Sequence, residues 1–202
     1  MNIAFTDQQK KIRVQVANYV NREVIPFANN WDKAESIPTE AIRKLASEGY
    51  LGATLPAKYK GLEMDQVSYG ILQEEIGRGC SSLRSLVTVH SSLVAETILR
   101  WGTETQKHYW LPLLATGAKL AAFCLSEPNV GSDAKNITTA YHEQNDQAVI
   151  NGVKKWITFG QIADVYLVLA KNAEGESAFL VERNIPGIEV KPLNGMLGTK
   201  AS

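Results

Sequence analysis

The hydrophobic pattern of the chain changes once, near residue 118, and this change limits the folds available to it. Before residue 118, apolar residues recur at helical spacing; after it, short apolar runs are separated by Gly, Asn, Asp and Pro. The pattern predicts an α+β fold class: an N-terminal all-α helical bundle over residues 1–118, then a small antiparallel β-sheet or barrel domain over residues 119–202. A chain of 202 residues that is 45% hydrophobic can supply a core for each domain.

Local signals predict the ends of the helices and the positions of the strands. Thr6 and Thr103 each precede a Gln by three residues, which is the pattern of a capping box, and Pro26 is expected to kink or interrupt the first helix. Further helices are predicted over residues 38–47, 65–76 (ending at Gly77), 81–101 and 103–117, with a loop over 51–64. The candidate strands are residues 120–125, 148–154, 165–170, 177–181 and 188–190.

Composition argues against several classes of partner. Lys and Arg total 21, as do Asp and Glu, and the basic residues are scattered, so nucleic acid is not expected as a partner. The longest apolar run, residues 165–170, is too short to span a bilayer, so membrane insertion is not expected either. Cys80 and Cys124 form no CxxC pair, and the three His residues show no metal-ligand spacing. We therefore predict reduced thiols, no metal site and, because no secretory signal is visible, a cytoplasmic location.

Two segments of the second half have residues suited to a ligand. Residues 123–133, FCLSEPNVGSD, join an apolar run to a turn rich in Gly and hydroxyl groups, and residues 156–158 are Trp-Ile-Thr. If residues 156–158 are extended, the indole of Trp156 and the hydroxyl of Thr158 point to the same side. An aromatic face, hydroxyls and backbone N–H groups beside Gly suit a flat, polar-edged ligand with a phosphate tail. The same residues are also compatible with an ordinary turn in the first segment and with a Trp156 that is buried in the core.

Acidic residues of the first segment are candidates for a general base. Pro128 follows Glu127, and the chain must turn between Glu127 and Asp133. In such a turn, a carboxylate more commonly accepts hydrogen bonds from nearby backbone N–H groups. We therefore expect a structural role for both carboxylates.

Both segments resemble the flavin-binding stretches of the acyl-CoA dehydrogenase family, which read aromatic-Cys-x-[Thr/Ser]-Glu-Pro-x-x-Gly-Ser-Asp and then Trp-Ile-Thr. The resemblance continues through residues 56–62, 102–117, 151–152 and 197–202. It implies FAD as the cofactor, with hydroxyls of Ser126 and Thr158 on the flavin ring, Ser132 near the pyrophosphate and Trp156 against the ring. The cofactor-binding residues that it implies are Phe123, Cys124, Leu125, Ser126, Gly131, Ser132, Trp156, Ile157 and Thr158.

The resemblance also implies an activity, the α,β-desaturation of an acyl thioester carried by CoA or by an acyl carrier protein. Ser132 and His90 are candidates for substrate binding, since His90 lies on a helix that flanks the acyl pocket in the family. The implied electron acceptor is an electron-transfer flavoprotein or a similar protein, and complete members are implied to be homo-oligomers. In the family the catalytic Glu lies in a later helical domain, so no catalytic base is expected here. We expect an inactive fragment, with a split subunit and a degenerate protein as alternatives.

Some positions depart from the family pattern, and other functions stay open. Asn129-Val130, Phe159, Met196 and Lys200 replace more usual residues and leave the fatty-acyl-CoA specificity undetermined. The ending GTKAS resembles relatives that act on carrier-bound acyl groups. The alternatives are a non-catalytic interaction module that has lost its flavin and a relative of the flavin-dependent monooxygenases.

Overall fold

The computed structural model describes residues 4–145 and 147–202. The chain divides into two compact units, one of Met1–Lys119 with Asn194–Ser202 and one of Leu120–Leu193. The first unit is helical and the second holds a sheet, which confirms the α+β fold class. Residues 194–202, which the hydrophobic pattern placed with the β domain, group with the helical unit, where Gly195 N donates to both carboxylate oxygens of Glu35.

The helical unit is built from elements whose ends follow local sequence signals. Thr6 and Thr103 each form the predicted capping box. Val24 separates the first two helices, with Pro26 in the first turn of the second, where its missing N–H is not needed. The helices are α1 (Asp7–Glu23), α2 (Ile25–Ala34), α3 (Thr39–Ser47), α4 (Gln66–Gly79), α5 (Ser81–Val87), α6 (Glu96–Trp101) and α7 (Glu104–Ala115), with 3-10 turns at Tyr50–Gly52 and Ala57–Tyr59.

Two helical predictions differ from the structure. Helix α4 continues through Gly77 and ends at Gly79. The glycine at position 79 is needed for close packing against α1, since a Cβ added there would lie 2.6 Å from Val20 Cγ1. The helix expected over residues 81–101 contains a π segment, Thr88–Ala95, between α5 and α6. A π turn keeps the chain helical while shifting the register of the following residues, so periodicity alone does not reveal it.

The second unit contains one five-stranded sheet with the order β1-β4-β2-β3 and β5 on the other edge of β4. The strands are β1 (Ala121–Cys124), β2 (Ala140–Gln144), β3 (Gln147–Asn151), β4 (Val165–Asn172) and β5 (Gly175–Glu182). The β1/β4 and β2/β4 pairs are parallel, whereas the β2/β3 and β4/β5 pairs are antiparallel. The sheet is therefore mixed, and the prediction of an antiparallel sheet is wrong.

Two strand predictions also need correction. Strand β2 was not predicted, because most of its side chains are exposed and it lacks an apolar alternation. Residues 188–190 form no strand, although Val190 packs against a small core. That core consists of Ala122, Cys124, Ala163 and Tyr166, with Ile157 beside it. It anchors the end of β1 and the middle residue of the Trp-Ile-Thr segment in the same unit.

Candidate functional site

The loop that follows β1 makes a tight turn and then runs along the surface. Glu127 N donates to Val130 O at 2.9 Å, and Val130 N donates back to Glu127 O at 3.2 Å. Gly131 and Ser132 are exposed, and a Cβ added at Gly131 would meet no heavy atom within 4 Å. The loop therefore presents open backbone and a serine hydroxyl to solvent.

A buried carboxylate closes this loop, in an arrangement that we call the Glu127 clamp (Glu127, Thr138, Thr139 and Lys154). The Glu127 carboxylate accepts hydrogen bonds from Thr138 N and Oγ1, both at 2.6 Å, and from Thr139 N and Lys154 Nζ, both at 2.9 Å. Burial acts to raise the pKa of Glu127, but the hydrogen bonds from Thr138, Thr139 and Lys154 outweigh it and hold that pKa well below its ordinary value. The expected structural role of Glu127 is confirmed.

Contacts from residues 154–155 bring the two predicted segments together. Lys154 Nζ also donates to Leu125 O at 3.0 Å, and Lys155 N donates to Ser126 O at 2.8 Å. The residues that lead into Trp156 thus run beside the residues that leave β1. Sequence reasoning named both segments, and their proximity is a finding of the structure.

Trp156 is exposed and its backbone is strained. The residue is 53% exposed and has a φ of 64°, a left-handed conformation that is disfavoured for a bulky side chain. Lys155 Nζ lies 4.6 Å from the ring centroid. The alternative interpretation as a core Trp is therefore wrong, and an exposed aromatic residue with strained backbone is typical of a binding site.

The Trp-Ile-Thr segment is not extended, contrary to the geometry assumed from the sequence. A turn begins at Thr158, and Phe159 is buried with a φ of 56°. The turn is held by Gly160 O, which accepts from Tyr166 Oη at 2.9 Å and from Arg183 Nη1 at 3.3 Å. Because Trp156 and Phe159 are both left-handed, the alternation of side chains along a strand does not apply here.

The remaining predicted cofactor residues differ in exposure. Phe123, Leu125, Ser126, Ile157 and Thr158 are half-buried. Among the described residues, the hydroxyls of Ser126, Ser132 and Thr158 and the indole N–H make no hydrogen bond, so these groups are available to a ligand.

Cys124 and His90 are buried, and their side chains differ in what they can offer to a ligand. Burial raises the pKa of the Cys124 thiol to about 12, so this residue can contribute backbone but no thiolate. His90 lies in the π segment of the helical unit, fully buried, where Nε2 donates to Leu114 O at 3.0 Å. Burial lowers the pKa of His90 to about 4. The ring has no surface with which to contact a substrate, so the structure removes His90 from the candidate site.

Several residues that shape the site had no signal of their own in the sequence. Lys154 is 27 residues from Glu127 along the chain, and Arg183 is 23 residues from Gly160. Such partners meet only after the sheet has formed, so no local pattern in the sequence reveals them. Within residues 4–145 and 147–202, no three His, Cys, Asp or Glu residues form a group that could hold a metal ion. No helix described there is long and apolar enough to cross a bilayer.

Comparison with known proteins places both units in one family. The model of the acyl-CoA dehydrogenase N-terminal domain matches residues 6–118, and the model of the middle domain matches residues 122–202. An acyl-CoA dehydrogenase of Bacillus subtilis (strain 168) is 36% identical over 202 residues, which cover 98% of this chain and 53% of that protein.

Solved structures agree with this result. A glutaryl-CoA dehydrogenase from Mycobacterium smegmatis in complex with FADH2 has a TM-score of 0.94 and 32% identity, covering 98% of this chain and 51% of that one. A prolyl acyl carrier protein oxidase has a TM-score of 0.90 and 28% identity, covering 98% and 54%. The chain spans about half the length of these relatives. With matches to its helical and its middle domain in the same order, the chain belongs to the acyl-CoA dehydrogenase family.

Proposed function

We propose that this chain binds FAD through residues 123–126, 131–132 and 156–158, as part of a protein that desaturates an acyl thioester. The observation that carries the proposal is the position of the exposed, strained Trp156 beside the loop that follows β1. When bound, FAD supplies the acceptor for the hydride that leaves the β-carbon of the acyl group. The residues of this chain bind that cofactor and orient it.

The residues present fit the chemistry of FAD. The open face of Trp156 can cover a flat ring system, and the hydroxyls of Ser126 and Thr158 can donate hydrogen bonds to its heteroatoms. Gly131 leaves room for a phosphate oxygen to approach the backbone, and Ser132 supplies a hydroxyl beside it. Hydrogen bonds to the ring edge favour the reduced cofactor, because reduction adds negative charge there.

The proposed reaction also needs a base, and Glu127 is not available for this role. Its two carboxylate oxygens already accept four hydrogen bonds and its proton affinity is low. We propose that abstraction of the α-proton is performed by a carboxylate outside residues 1–202 of the whole protein.

The substrate and partners are proposed from the family. We propose an acyl thioester carried by CoA or by an acyl carrier protein, since relatives of both kinds match this chain. An electron-transfer flavoprotein or similar protein is the proposed acceptor of the electrons. Homo-oligomerisation of the whole protein and a cytoplasmic location stay predictions.

The first test is titration of the 202-residue chain with FAD, with binding measured by calorimetry. Gel filtration then removes free FAD, and the visible absorbance of the protein reports the FAD that stays bound. We expect saturable binding of FAD and no steady-state dehydrogenation of acyl thioesters, because the proposed base lies outside residues 1–202. A colourless protein that cannot be reconstituted would contradict the proposal and favour the interaction module. Turnover by the isolated chain would contradict the assignment of the base.

Replacement of Trp156 by Asn should separate binding from folding. We expect the FAD affinity to fall by at least about 10-fold, because stacking on an aromatic side chain contributes roughly 1–3 kcal/mol. The free energy of unfolding should stay unchanged or rise by about 1 kcal/mol, because Asn tolerates a left-handed backbone better than Trp does. Calorimetry and urea unfolding measure the two quantities.

Trp101→Asn is the matched control, since Trp101 is 83% exposed but lies in the helical unit. It should leave the FAD affinity unchanged. Equal losses of affinity in the two variants would show that the indole of Trp156 has no specific part in binding.

A further inference from the structure

We infer that Lys154 is a positioning residue for the proposed cofactor site: its ammonium sets the spacing between the loop after β1 and the segment that carries Trp156. The inference rests on the proposed function, because FAD is the ligand whose contacts this spacing would control. It assigns a role to a residue outside the two segments that contact the cofactor.

The contacts of residues 154 and 155 enclose Ser126 from both sides. Lys154 Nζ donates to Leu125 O at 3.0 Å and to Glu127 Oε1 at 2.9 Å, and Lys155 N donates to Ser126 O at 2.8 Å. Lys154 thus bonds to Leu125 and to Glu127, and Lys155 bonds to Ser126, the residue between them. These bonds therefore hold the backbone of Ser126 in a fixed position relative to the backbone that leads into Trp156.

Burial makes this ion pair unlike the Lys191–Glu189 pair of the same unit. The side chain of Lys154 is 10% exposed and that of Glu127 is 2% exposed, whereas the Lys191–Glu189 pair is 77% and 76% exposed. An exposed pair is screened by water and holds its side chains loosely, but a buried pair admits few alternative geometries. The Lys154–Glu127 pair can therefore act as a fixed spacer.

The two partners have unequal importance for folding, which makes a clean test possible. Removal of the Lys154 ammonium leaves Glu127 with its three hydrogen bonds from Thr138 and Thr139. Removal of the Glu127 carboxylate would instead take the acceptor from three hydrogen bonds of Thr138 and Thr139 as well as from Lys154, which is a harsher change. Lys154→Met keeps the apolar stem of the side chain and removes only the charge and its donors.

The experiment compares the 202-residue wild-type chain with Lys154→Met, Lys154→Arg and the control Lys191→Met. FAD affinity is measured by calorimetry, the folded fraction by urea unfolding, and the geometry of bound flavin by its induced visible circular dichroism at saturation. We expect Lys154→Met to bind FAD about 10-fold more weakly, with an altered induced spectrum, while it stays folded. Lys154→Arg keeps the charge and should recover most of the affinity. Lys191→Met should match wild type.

The outcomes separate this inference from the proposed function. If the wild-type chain binds no FAD, both are overturned. If wild type binds and Lys154→Met binds equally well, the inference alone is overturned. An affinity loss that only follows the loss of folded protein, with an unchanged induced spectrum at saturation, would also overturn it, because Lys154 would then be merely structural.

Discussion

Lowering the pH from 6.5 to 4 is expected to cost the helical unit about 3 kcal/mol of unfolding free energy through His90 alone. Burial lowers the pKa of His90 from 6.5 to about 4, so the folded ring resists protonation. The unfolded ring binds a proton below pH 6.5, and the folded ring does so only near pH 4. The stability that the neutral ring contributes is thus fully present above pH 6.5 and is lost progressively as the pH falls to about 4.

The variant His90→Gln tests this expectation. It should be less stable than wild type at pH 7, because the close-packed site and the bond to Leu114 O are disturbed, but its stability should fall less steeply between pH 6.5 and 4. Urea unfolding at a series of pH values, followed by far-ultraviolet circular dichroism, gives the slopes. Val94→Ala, at a buried residue of the same π segment, should lower the stability but keep the wild-type slope, because it removes no titratable group. Equal slopes in wild type and His90→Gln would refute the assignment to His90.

Gly152→Ala should destabilise the β unit by about 3 kcal/mol and weaken FAD binding by at least about 10-fold. A Cβ at residue 152 would lie 2.3 Å from Thr139 Oγ1 and 2.7 Å from Thr139 Cα, so a rotamer change cannot relieve the clash. Thr139 N is bonded to Glu127, and a displaced Thr139 would therefore disturb the Glu127 clamp. Overpacking and loss of the clamp act in the same direction.

Gly131→Ala provides the contrast, because a Cβ there would meet no heavy atom within 4 Å. Its unfolding free energy should stay within about 0.5 kcal/mol of wild type. Its FAD affinity should nevertheless fall, since the methyl group would occupy the space through which a phosphate approaches the backbone. For Gly152→Ala and Gly131→Ala, urea unfolding measures the free energy of unfolding and calorimetry measures the FAD affinity. Similar stability losses in the two variants would contradict this distinction between a packing glycine and a binding glycine.

The parts of the fold that depend on local interactions were predictable from the sequence. The capping boxes at Thr6 and Thr103 and the break near Pro26 involve residues within one turn of each other. The parallel pairing of β1 with β4 joins residues more than 40 positions apart, and no local pattern encodes it. Strand β2 was missed because its exposed side chains carry no apolar alternation.

The candidate site divides in the same way. The composition of residues 123–133 and 156–158 indicated a ligand site, and the resemblance to a family supplied the individual roles, which stay predictions. The left-handed backbone of Trp156 and the partners of Glu127 depend on tertiary contacts. Lys154 therefore emerged only from the structure.

The ammonium of Lys155, 4.6 Å from the centroid of the Trp156 ring, has a consequence for stereochemistry. An aromatic ring has two faces. Because the ammonium covers one of them, a planar molecule can stack only on the other face. Lys155 thus determines which face of the Trp156 ring a planar molecule can contact. Stacking on the opposite face would require the Lys155 side chain to change its conformation.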